Sequence, residues 1–499
     1  MTPPPGQPSI VWFRQDLRLS DNPALAAAAE RRAPILPLYV LDDDAPGPWA
    51  PGGAARWWLD RSLAALEVDL KVLGLTLVLR RGPAQEVVPQ VAEEIGAGAV
   101  FWNRCYEPFA IARDSGLKSA LLDRGLRAES ANGALLFEPW VPKTKTGGPF
   151  KVFTPFWKHL QGLGPPPAPL PWPAALPGGV TAPGEARAAW GLSPSKPDWA
   201  DGLREAWRPG EAGAQDRLAA FLEDRVSGYG ETRDRPDLAG TSRLSPHLHW
   251  GEVSPRQVWH AVRHRTEAQG GRGAGAEAYL REIAWREFNT HLLYHWPELP
   301  EKNWKPAFDA FPWRQDEEGF RAWTRGLTGY PIVDAGMREL WSSGWMHNRV
   351  RMIAASFLIK DLLIHWRRGE EWFWDTLVDA DLANNAGGWQ WVAGSGADAA
   401  PFFRIFNPVS QSRKFDPEGR YLRRWLPELA QLPDDAIHAP WEADGVTLST
   451  AGITLGRDYP QPIVDHGEAR KRALAAYQAV KARPPPFGGS SHGPVTATN

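Results

Sequence analysis

The sequence predicts an α/β N-terminal domain built on a parallel, Rossmann-like sheet, followed by an all-α C-terminal domain. Two patterns carry this prediction. Short apolar runs alternate with amphipathic helical patterns in the first third of the chain, and long helical patterns fill the second half. The length supports two domains as well, because 499 residues are too many for one ordinary core.

The N-terminal domain, residues 8–135, is predicted from four apolar runs. The runs “SIVWF” (9–13), “ILPLYVL” (35–41), “LTLVL” (75–79) and “AVFW” (99–102) are typical of buried strands, and helical patterns such as “NPALAAAAERR” separate them. This alternation gives a parallel sheet with helices on both faces. Such a sheet often binds a nucleotide-like ligand, although the fold alone names none.

Three further segments complete the predicted organisation. Residues 136–213 are rich in Pro, Gly and Ala, as in “GPPPAPLPWPAALPGG”, and predict an interdomain connector. Residues 214–482 carry long amphipathic helical patterns without the alternation of strands. The last residues, 483–499, predict a flexible tail.

Composition narrows the class of protein. The single cysteine, Cys105, excludes an intramolecular disulfide and Cys-rich metal sites. The apolar segment “MIAASFLIKDLLIHW” is interrupted by Lys360 and Asp361, and the N-terminus lacks a signal-peptide pattern, so we expect a cytoplasmic protein without a membrane partner. The net charge of −2 gives no global signature for nucleic acid, but one basic face is enough for binding.

The segment “GTSRLSPHLHWG” (240–251) places hydroxyl groups just before a predicted helix. Thr241, Ser242 and Ser245, with Arg243 between them, suit a phosphate at a helix start, although these residues alone favour an ordinary N-cap. The glycine-rich “GGRGAGAEAY” (270–279) follows a helix instead of a strand, so it predicts a loop and not a dinucleotide fingerprint.

Two histidine pairs have the spacing of a chelating helix face. His260/His264 and His291/His295 are each four residues apart, but no third ligand accompanies them, so structural histidines and no metal site are predicted. The segment “AGSGAD” around Ser395 does not match a nucleophile elbow.

Two other segments predict contacts to a larger ligand. The segment “RIFNPVSQSRKFDPEGRYLRRW” (404–425) interleaves basic and aromatic residues, which suits a phosphate backbone with exposed bases, or an ordinary solvated basic face. Helical spacing places Glu282, Trp285, Arg286 and Asn289 on one side of a helix, as in the wall of a polar pocket.

The stretch “DADLANNAGGWQWVAGSG” (379–396) mixes acids, amides, glycines and indoles. Its composition disfavours a helix, a strand and burial in a hydrophobic core. The chain has 27 tryptophans, which packing explains as a whole, with stacking or redox use of indole rings as the alternative.

These motifs together resemble one family. The segments “VWFRQDLRLSDNPAL”, “KVFTPFWK”, “GTSRLSPHL”, “TGYPIVDAGMREL”, “GWMHNRVRM”, “DLANNAGGWQW” and “YPQPIVDH” resemble the photolyase/cryptochrome flavoproteins over nearly the whole chain. Among these, the resemblance is to the class I cyclobutane pyrimidine dimer photolyases of microbes.

The resemblance implies that the helical domain binds FAD, which is active in its reduced form. Arg351 would pair with Asp379 beneath the flavin, and Asn385 would lie at flavin N5, where an amide can donate or accept. Gly387 and Gly388 would let the backbone pass close to the cofactor. The implied FAD-binding residues are Tyr229, Thr241, Ser242, Arg243, Leu244, Ser245, Asn348, Arg351, Asp379, Asp381 and Asn385.

The resemblance also implies light-driven repair of DNA. An electron from excited, reduced FAD would split a pyrimidine dimer that has flipped out of the duplex. Glu282 would hydrogen-bond the dimer and steady its radical anion, while Trp285 and Trp391 would stack on it. The implied DNA-binding residues are Arg233, Trp285, Arg286, Asn348, Arg349, Met352, Trp391 and Gln411.

Three tryptophans match the family's electron chain. Trp389 would lie nearest the flavin, then Trp366, with Trp313 at the surface. Indole rings are oxidisable, so a spaced row of them can pass electrons inward. These three tryptophans and Glu282 are the predicted catalytic residues.

Related activities differ from this expectation at particular residues. A (6-4) photolyase would carry histidines in place of Asn348 and Met352, and the cryptochrome branch that prefers single strands usually has tyrosine in place of Trp391. A signalling cryptochrome would be expected to carry a long C-terminal extension or to lack Glu282. We therefore expect a monomer that repairs cyclobutane dimers in duplex DNA, with a cryptochrome-like photoreceptor or a (6-4) photolyase as alternatives.

The antenna pigment is not defined by the resemblance. Folate-binding members carry an Asn-Glu pair where Phe109 and Ala110 stand, and a lysine near the domain junction where this chain has Pro300. The segments “VFWNRCYEP” and “PFWKHL” resemble deazaflavin-binding members more closely, although Cys105 replaces their usual acid. A second chromophore is thus expected to be deazaflavin or folate, with a flavin or an empty pocket as alternatives.

Overall fold

The computed structural model describes residues 6–268, 270, 273–399 and 403–482. The chain divides into two compact units. Unit 1 comprises Met1–Ser227, Ser242–Pro297 and Val378–Leu382, and unit 2 comprises Gly228–Thr241, Glu298–Leu377 and Ala383–Asn499. This division does not coincide with the predicted boundary at residue 213, and the predicted domain limits stay a prediction. The predicted tail, 483–499, lies outside the described residues, as do residues 271 and 272 of the predicted glycine-rich loop.

A five-stranded parallel sheet forms the centre of unit 1, in the order β3-β2-β1-β4-β5. β1 pairs with β2 on one side, with Ser9 opposite Ile35, and with β4 on the other, with Ser9 opposite Ala99. The strand order therefore reverses between β1 and β4, as in doubly wound folds. The strands are β1 (Ser9–Phe13), β2 (Ile35–Leu41), β3 (Val78–Arg81), β4 (Ala99–Asn103) and β5 (Arg127–Ala131).

The predicted fold class is confirmed, with two differences in the sheet. β3 begins at Val78 and not at Leu75. The edge strand β5, “RAESA”, was not predicted, because it is charged and largely accessible and so lacks the apolar run of an inner strand.

Helices account for every other long regular element among the described residues. α1 shows the local reason for a helix start: Asn22 accepts the N–H of Leu25 at 3.1 Å, and Pro23 is the first helical residue. The first eleven helices are α1 (Pro23–Glu30), α2 (Gly53–Val72), α3 (Ala84–Glu94), α4 (Pro108–Asp123), α5 (Phe153–Gly162), α6 (Asp201–Ala206), α7 (Glu211–Asp224), α8 (Tyr229–Thr232), α9 (Ser245–His249), α10 (Pro255–Ala268) and α11 (Ala274–His295). The remaining nine are α12 (Glu317–Arg325), α13 (Pro331–Ser343), α14 (Asn348–Ser356), α15 (Trp366–Thr376), α16 (Leu382–Ala393), α17 (Pro408–Phe415), α18 (Arg420–Trp425), α19 (Gly445–Thr450) and α20 (His466–Ala482).

The predicted connector is largely irregular, but it is not without structure. α5 and α6 lie within residues 136–213, and a 3₁₀ turn spans Arg187–Trp190. Unit 2 also contains a π-helical turn, Phe357–Asp361, directly after α14.

Buried polar residues of the segment “DLRLSDN” anchor residues 242–297 within unit 1. Arg18 donates to the carbonyl of Gly251 at 2.8 Å and to the carbonyl of Gly133 at 2.7 Å. Asp21 accepts from Arg256 at 2.9 Å. Because these groups are buried, their pairing is a condition for the fold, and this motif therefore serves structure.

A comparable buried acid organises unit 2. Asp334 in “TGYPIVDAG” accepts from the backbone N–H of Thr328 at 2.7 Å and from the hydroxyl of Tyr459 at 2.6 Å. Burial raises the pKa of Asp334 to about 6. Two of the motifs that carry the family resemblance thus bind each other.

The stretch 379–396 is not the poor helix that its composition predicted. Most of it forms α16, which runs through both asparagines and both glycines. Ala386, Trp389 and Ala393 are buried at helical spacing. Burial of this face offsets the roughly 1 kcal/mol that each glycine costs in a helix interior.

Candidate functional site

The hydroxyl-rich segment 242–245 lies in unit 1 in a strained turn. Arg243 has a φ of 52°, in the left-handed region, and α9 begins at Ser245. Leu244 occupies the N-cap position and makes no side-chain capping bond, so the ordinary N-cap interpretation is wrong.

The hydroxyl of Ser242 is oriented by two donors. It accepts from the hydroxyl of Tyr279 at 3.0 Å and from the backbone N–H of Leu244 at 3.3 Å. Burial raises the pKa of Tyr279, which keeps that phenol protonated. Because the Ser242 oxygen already accepts two hydrogen bonds, its hydroxyl hydrogen remains to be donated to another acceptor, such as a phosphate oxygen.

The acidic segment of Asp379 and Asp381 lies beside α9 in the same unit. Trp250 donates from Nε1 to the carbonyl of Val378 at 3.2 Å, and Nδ1 of His249 lies 3.7 Å from a carboxylate oxygen of Asp381. Asp381, a predicted FAD-binding residue, therefore lies beside the helix that begins at Ser245, another predicted FAD-binding residue.

Asn385 is buried in unit 2 beside the backbone of Glu370. The side-chain amide of Asn385 donates to the backbone carbonyl of Glu370 at 3.0 Å, which leaves the amide oxygen as an acceptor. Glu370 is completely buried, and its two carboxyl oxygens hydrogen-bond to none of the described residues. Burial raises the pKa of Glu370 well above its usual range, which favours the protonated form, a hydrogen-bond donor.

Each unit by itself offers groups that suit a part of an FAD molecule. In unit 2, the amide oxygen of Asn385 and the unsatisfied buried carboxyl of Glu370 suit polar atoms of a buried heteroaromatic ring, because buried polar groups require partners. An oriented serine hydroxyl suits a diphosphate. The predicted Arg351–Asp379 pair joins residues of different units and stays a prediction.

The three predicted electron-transfer tryptophans, here called the indole column, share unit 2. Trp389 and Trp366 are 3% and 0% exposed, while Trp313 is partly accessible, so only the last ring in the predicted order is accessible. Trp366 donates from Nε1 to the side chain of Asn303 at 2.9 Å.

Close packing brings Trp389 to the helix that begins with Trp366. A Cβ at Gly369 would clash with the ring of Trp389 and lie 2.7 Å from Cδ2 of Leu358, so only glycine admits the indole here. Gly369 follows Trp366 by three residues, or about 4.5 Å along the helix axis. At the other end, the imidazole of His365 contacts the rings of both Trp366 and Trp313.

The predicted stripe on α11 is partly accessible along its whole length. Glu282, Trp285, Arg286 and Asn289 are each partly accessible, whereas the intervening residues 283, 284, 287 and 288 are buried. The helix therefore presents this stripe outward from its packed side, as a pocket wall requires.

Two members of the stripe are fixed by neighbours in unit 1. Trp285 stacks on Phe153, with ring centroids 3.7 Å apart. Arg286 donates from Nη1 to the carbonyl of Ala134 at 2.8 Å. Trp285 is thus a rigid ring with a backing, while Arg286 ties α11 to the loop after β5.

Predicted DNA contacts in unit 2 centre on α14. Arg349 donates to Asp234 at 2.8 Å, and its guanidinium lies 4.5 Å above the ring of Phe415. The other predicted contacts in this unit are Arg233, Asn348, Met352, Trp391 and Gln411, all of them at least partly accessible.

The basic segment 404–425 divides into structural and accessible residues. Arg423 donates to the carbonyl of Leu432 at 2.7 Å and to Asp434 at 2.8 Å, which is a structural use. Lys414 and Arg424 are exposed and lie over the neighbouring rings of Phe415 and Trp425. The interleaving of charge and ring seen in the sequence persists only at these accessible positions.

The histidine pairs are hydrogen-bonded linkers. His291 is hydrogen-bonded through Nδ1 to the carbonyl of Pro139 at 2.7 Å, and its Nε2 accepts from the backbone N–H of Phe150 at 3.0 Å. His260 lies 2.9 Å from the carbonyl of Pro166. Within the described ranges, no group of three His, Cys, Asp or Glu residues could hold a metal ion.

Sequence reasoning missed four residues of the site: Tyr279, Glu370, Gly369 and His365. Three of them lie close to predicted residues in sequence, since “HWRRGE” (365–370) contains Trp366. Their importance comes from contacts with Trp389, Asn385 and Trp313, which no spacing along one helix reveals.

Two family models match this chain. A model for the FAD binding domain of DNA photolyase matches residues 279–479, and a model for DNA photolyase matches residues 9–174. Together with the site geometry, they define a two-part flavoprotein.

Curated relatives extend over almost the whole chain. The deoxyribodipyrimidine photo-lyase of Agrobacterium fabrum is 55% identical over 479 residues, covering 95% of this chain and 98% of the relative. Cryptochrome-1 of Arabidopsis thaliana is 42% identical over 471 residues, covering 93% of this chain and 69% of the relative. The chain belongs to the DNA photolyase and cryptochrome family. It is an enzyme, a DNA-repair lyase that binds FAD.

Solved structures of photolyases are also similar to this chain. A bacterial class III photolyase from Agrobacterium tumefaciens is 54% identical, with a TM-score of 0.92 over 96% of this chain and 98% of that one. An archaeal photolyase from Sulfolobus tokodaii with two FAD molecules is 29% identical, with a TM-score of 0.76 over 95% of this chain and 100% of that one.

No helix within the described part of the chain is long and apolar enough to span a bilayer. The cytoplasmic location and the monomeric state stay predictions.

Proposed function

We propose that this protein splits cyclobutane pyrimidine dimers in DNA with light, after the dimer has left the duplex stack. The observation that carries the proposal is the partly accessible face of α11, where Glu282 lies one helical turn before Trp285. A flipped pair of bases needs a π-face to stack on and a hydrogen-bonding partner for its carbonyl groups. The stacked backing of Phe153 holds the indole ready for the first task.

Bound FAD would supply the chemistry, by donating one electron to the dimer from its light-excited, reduced form. Ser242 would donate its hydroxyl hydrogen to a phosphate oxygen, with Thr241, Arg243, Leu244, Ser245 and Tyr229 around it. Asn385 would offer its amide oxygen to a ring N–H, and Glu370 a neutral O–H. The remaining proposed FAD-binding residues are Asn348, Arg351, Asp379 and Asp381.

The chain's own groups would hold the dimer and its strand. Glu282 would hydrogen-bond a pyrimidine carbonyl and favour the extra electron on the dimer. Trp285 and Trp391 would stack on the two bases. Proposed contacts to the dimer and the flanking strand are Arg286, Asn348 and Met352, with Arg233, Arg349 and Gln411 at phosphates.

The indole column would keep the cofactor reduced. Trp366 would replace the electron that leaves Trp389, and Trp313 would replace the electron that leaves Trp366. The partly accessible ring of Trp313 can take an electron from an outside reductant. Trp389→Phe is therefore expected to stop photoreduction of the oxidised protein and to spare repair by protein that has been reduced chemically.

The relatives refine the proposed class and antenna. The 54% identity to a class III photolyase supports a class III assignment, and the class I assignment predicted from the resemblance is not confirmed. The archaeal relative with two FAD molecules supports a flavin as the second chromophore, beside the deazaflavin and folate predicted from sequence.

A blue-light receptor is the second candidate, because Cryptochrome-1 of Arabidopsis thaliana is 42% identical over 471 residues and an indole column serves a receptor equally well. The test is to incubate chemically reduced protein with a thymine-dimer oligonucleotide in blue light and in darkness. Dimer loss only in the light is expected. An intact dimer in the light would remove the repair function and favour the receptor.

A further inference from the structure

His365 contacts two rings of the indole column in unit 2. Its imidazole centroid is 5.6 Å from the ring of Trp366, with the planes 29° apart, and 4.8 Å from the ring of Trp313. The imidazole is therefore in contact with both indoles.

The position of this imidazole is fixed by helix capping. His365 is the N-cap of α15, and its Nδ1 accepts the backbone N–H of Arg367 at 3.1 Å. Since Nδ1 is the acceptor, the neutral ring carries its hydrogen on Nε2. The same side chain thus starts the helix that bears Trp366 and contacts Trp313.

The imidazole is uncharged at neutral pH. Burial lowers the pKa of His365 to about 4, with the neighbouring charge of Arg367 acting in the same direction. A charged ring at this place would repel the positive charge that an indole carries after it loses an electron.

We infer that His365 is a positioning residue for electron transfer, and that its ring bridges the gap between Trp313 and Trp366. The inference rests on the proposed function of the indole column. One electron leaves Trp313 and fills the vacancy on oxidised Trp366, and an outside thiol then returns one electron to Trp313. The imidazole gains and loses nothing, because it is harder to oxidise than indole.

The test distinguishes the effect of the imidazole ring of His365 from the effect of its capping hydrogen bond. His365→Asn and His365→Ser keep a capping acceptor and remove the ring, whereas His365→Phe keeps a ring and removes the acceptor. Oxidised, FAD-loaded protein is illuminated with a thiol reductant, and the loss of oxidised-flavin absorbance is timed. Melting temperature and repair by chemically reduced protein are measured on the same samples.

Both capping variants are expected to lose most of the photoreduction rate and to keep the melting temperature and the repair yield. His365→Phe is expected to keep the photoreduction rate and to melt at a lower temperature. Wild-type rates in the Asn and Ser variants, or equal slowing in all three, would overturn the inference.

Trp389→Phe and Trp366→Phe serve as controls for the column. If neither variant slows photoreduction, the proposed role of the indole column in electron transfer is contradicted. If both slow it while the Asn and Ser variants do not, only the role of His365 is lost.

Discussion

Trp285 and Phe153 stack almost parallel, with ring centroids 3.7 Å apart and an angle of 6° between the planes. Phe153 begins α5 and is buried, whereas Trp285 is partly accessible on α11. An accessible indole backed by a buried ring loses little side-chain freedom when a base stacks on its other face. We expect this pair to form the rigid half of the dimer site.

Trp285→Ala is expected to weaken binding of dimer-containing DNA by about 1–3 kcal/mol, because one base loses its stacking partner. Fluorescence anisotropy with damaged and undamaged oligonucleotides measures this change. Trp285→Phe, which keeps a π-face, is the matched control and is expected to retain most of the affinity. Unchanged affinity in the alanine variant would exclude Trp285 from the dimer site.

Gly369→Ala is expected to destabilise the fold by about 1–3 kcal/mol, since the added methyl group overpacks against Trp389. It is also expected to slow photoreduction by displacing that indole. Gly162→Ala, at the last residue of α5, is the control for stability, because a Cβ there meets no atom within 4 Å and alanine favours a helix by up to about 1 kcal/mol. Urea unfolding compares the two variants, and equal stabilities would contradict the packing argument.

Glu370→Gln is expected to change how stability depends on pH. The folded protein holds the carboxyl proton above the ordinary pKa of 4.5, so folding binds a proton there and wild-type stability falls as pH rises above that value. The slope contributed by this group is at most about 1.4 kcal/mol per pH unit. The glutamine variant lacks this contribution, so its stability relative to wild type should increase as the pH rises above the ordinary pKa of 4.5. Parallel curves from urea unfolding would show that Glu370 is already ionised.

Arg349→Ala is expected to weaken binding of damaged and undamaged DNA alike. It is also expected to reduce the slope of log K against log salt concentration by about the amount that one phosphate contact contributes. Asp234 holds this arginine at 2.8 Å, so Asp234→Asn should strengthen binding at low salt. Arg457→Ala removes an exposed arginine outside the predicted contacts and is the control. A loss confined to damaged DNA would assign Arg349 to the dimer itself.

The sequence predicted those parts of the fold and site whose signal is local. Apolar runs located four strands, and helical spacing located the α11 stripe, because both patterns follow from the geometry of one element. β5 escaped prediction because an accessible edge strand needs no apolar run. α16 was wrongly predicted as a poor helix, since the burial of Trp389 and its neighbours outweighs the local propensity of two glycines.

The residues that prediction missed act through tertiary contacts. His365 and His347 each cap a helix by accepting the N–H of the arginine two residues later, a pattern visible as “HWR” and “HNR”. That pattern indicates a helix start but not the two indoles around His365. Glu370 likewise has no local signal, because its pKa is raised mainly by burial in the folded protein, with the charges of Glu371 and Glu301 acting in the same direction.

The central claim is that the α11 face holds a pyrimidine dimer for light-driven cleavage. The most direct test measures dimers repaired per absorbed photon by chemically reduced wild type and Glu282→Ala, at saturating dimer DNA and equal FAD content. We predict a lower yield in the variant, because the dimer loses the carboxyl that favours its extra electron. Equal yields in the two proteins would contradict the account.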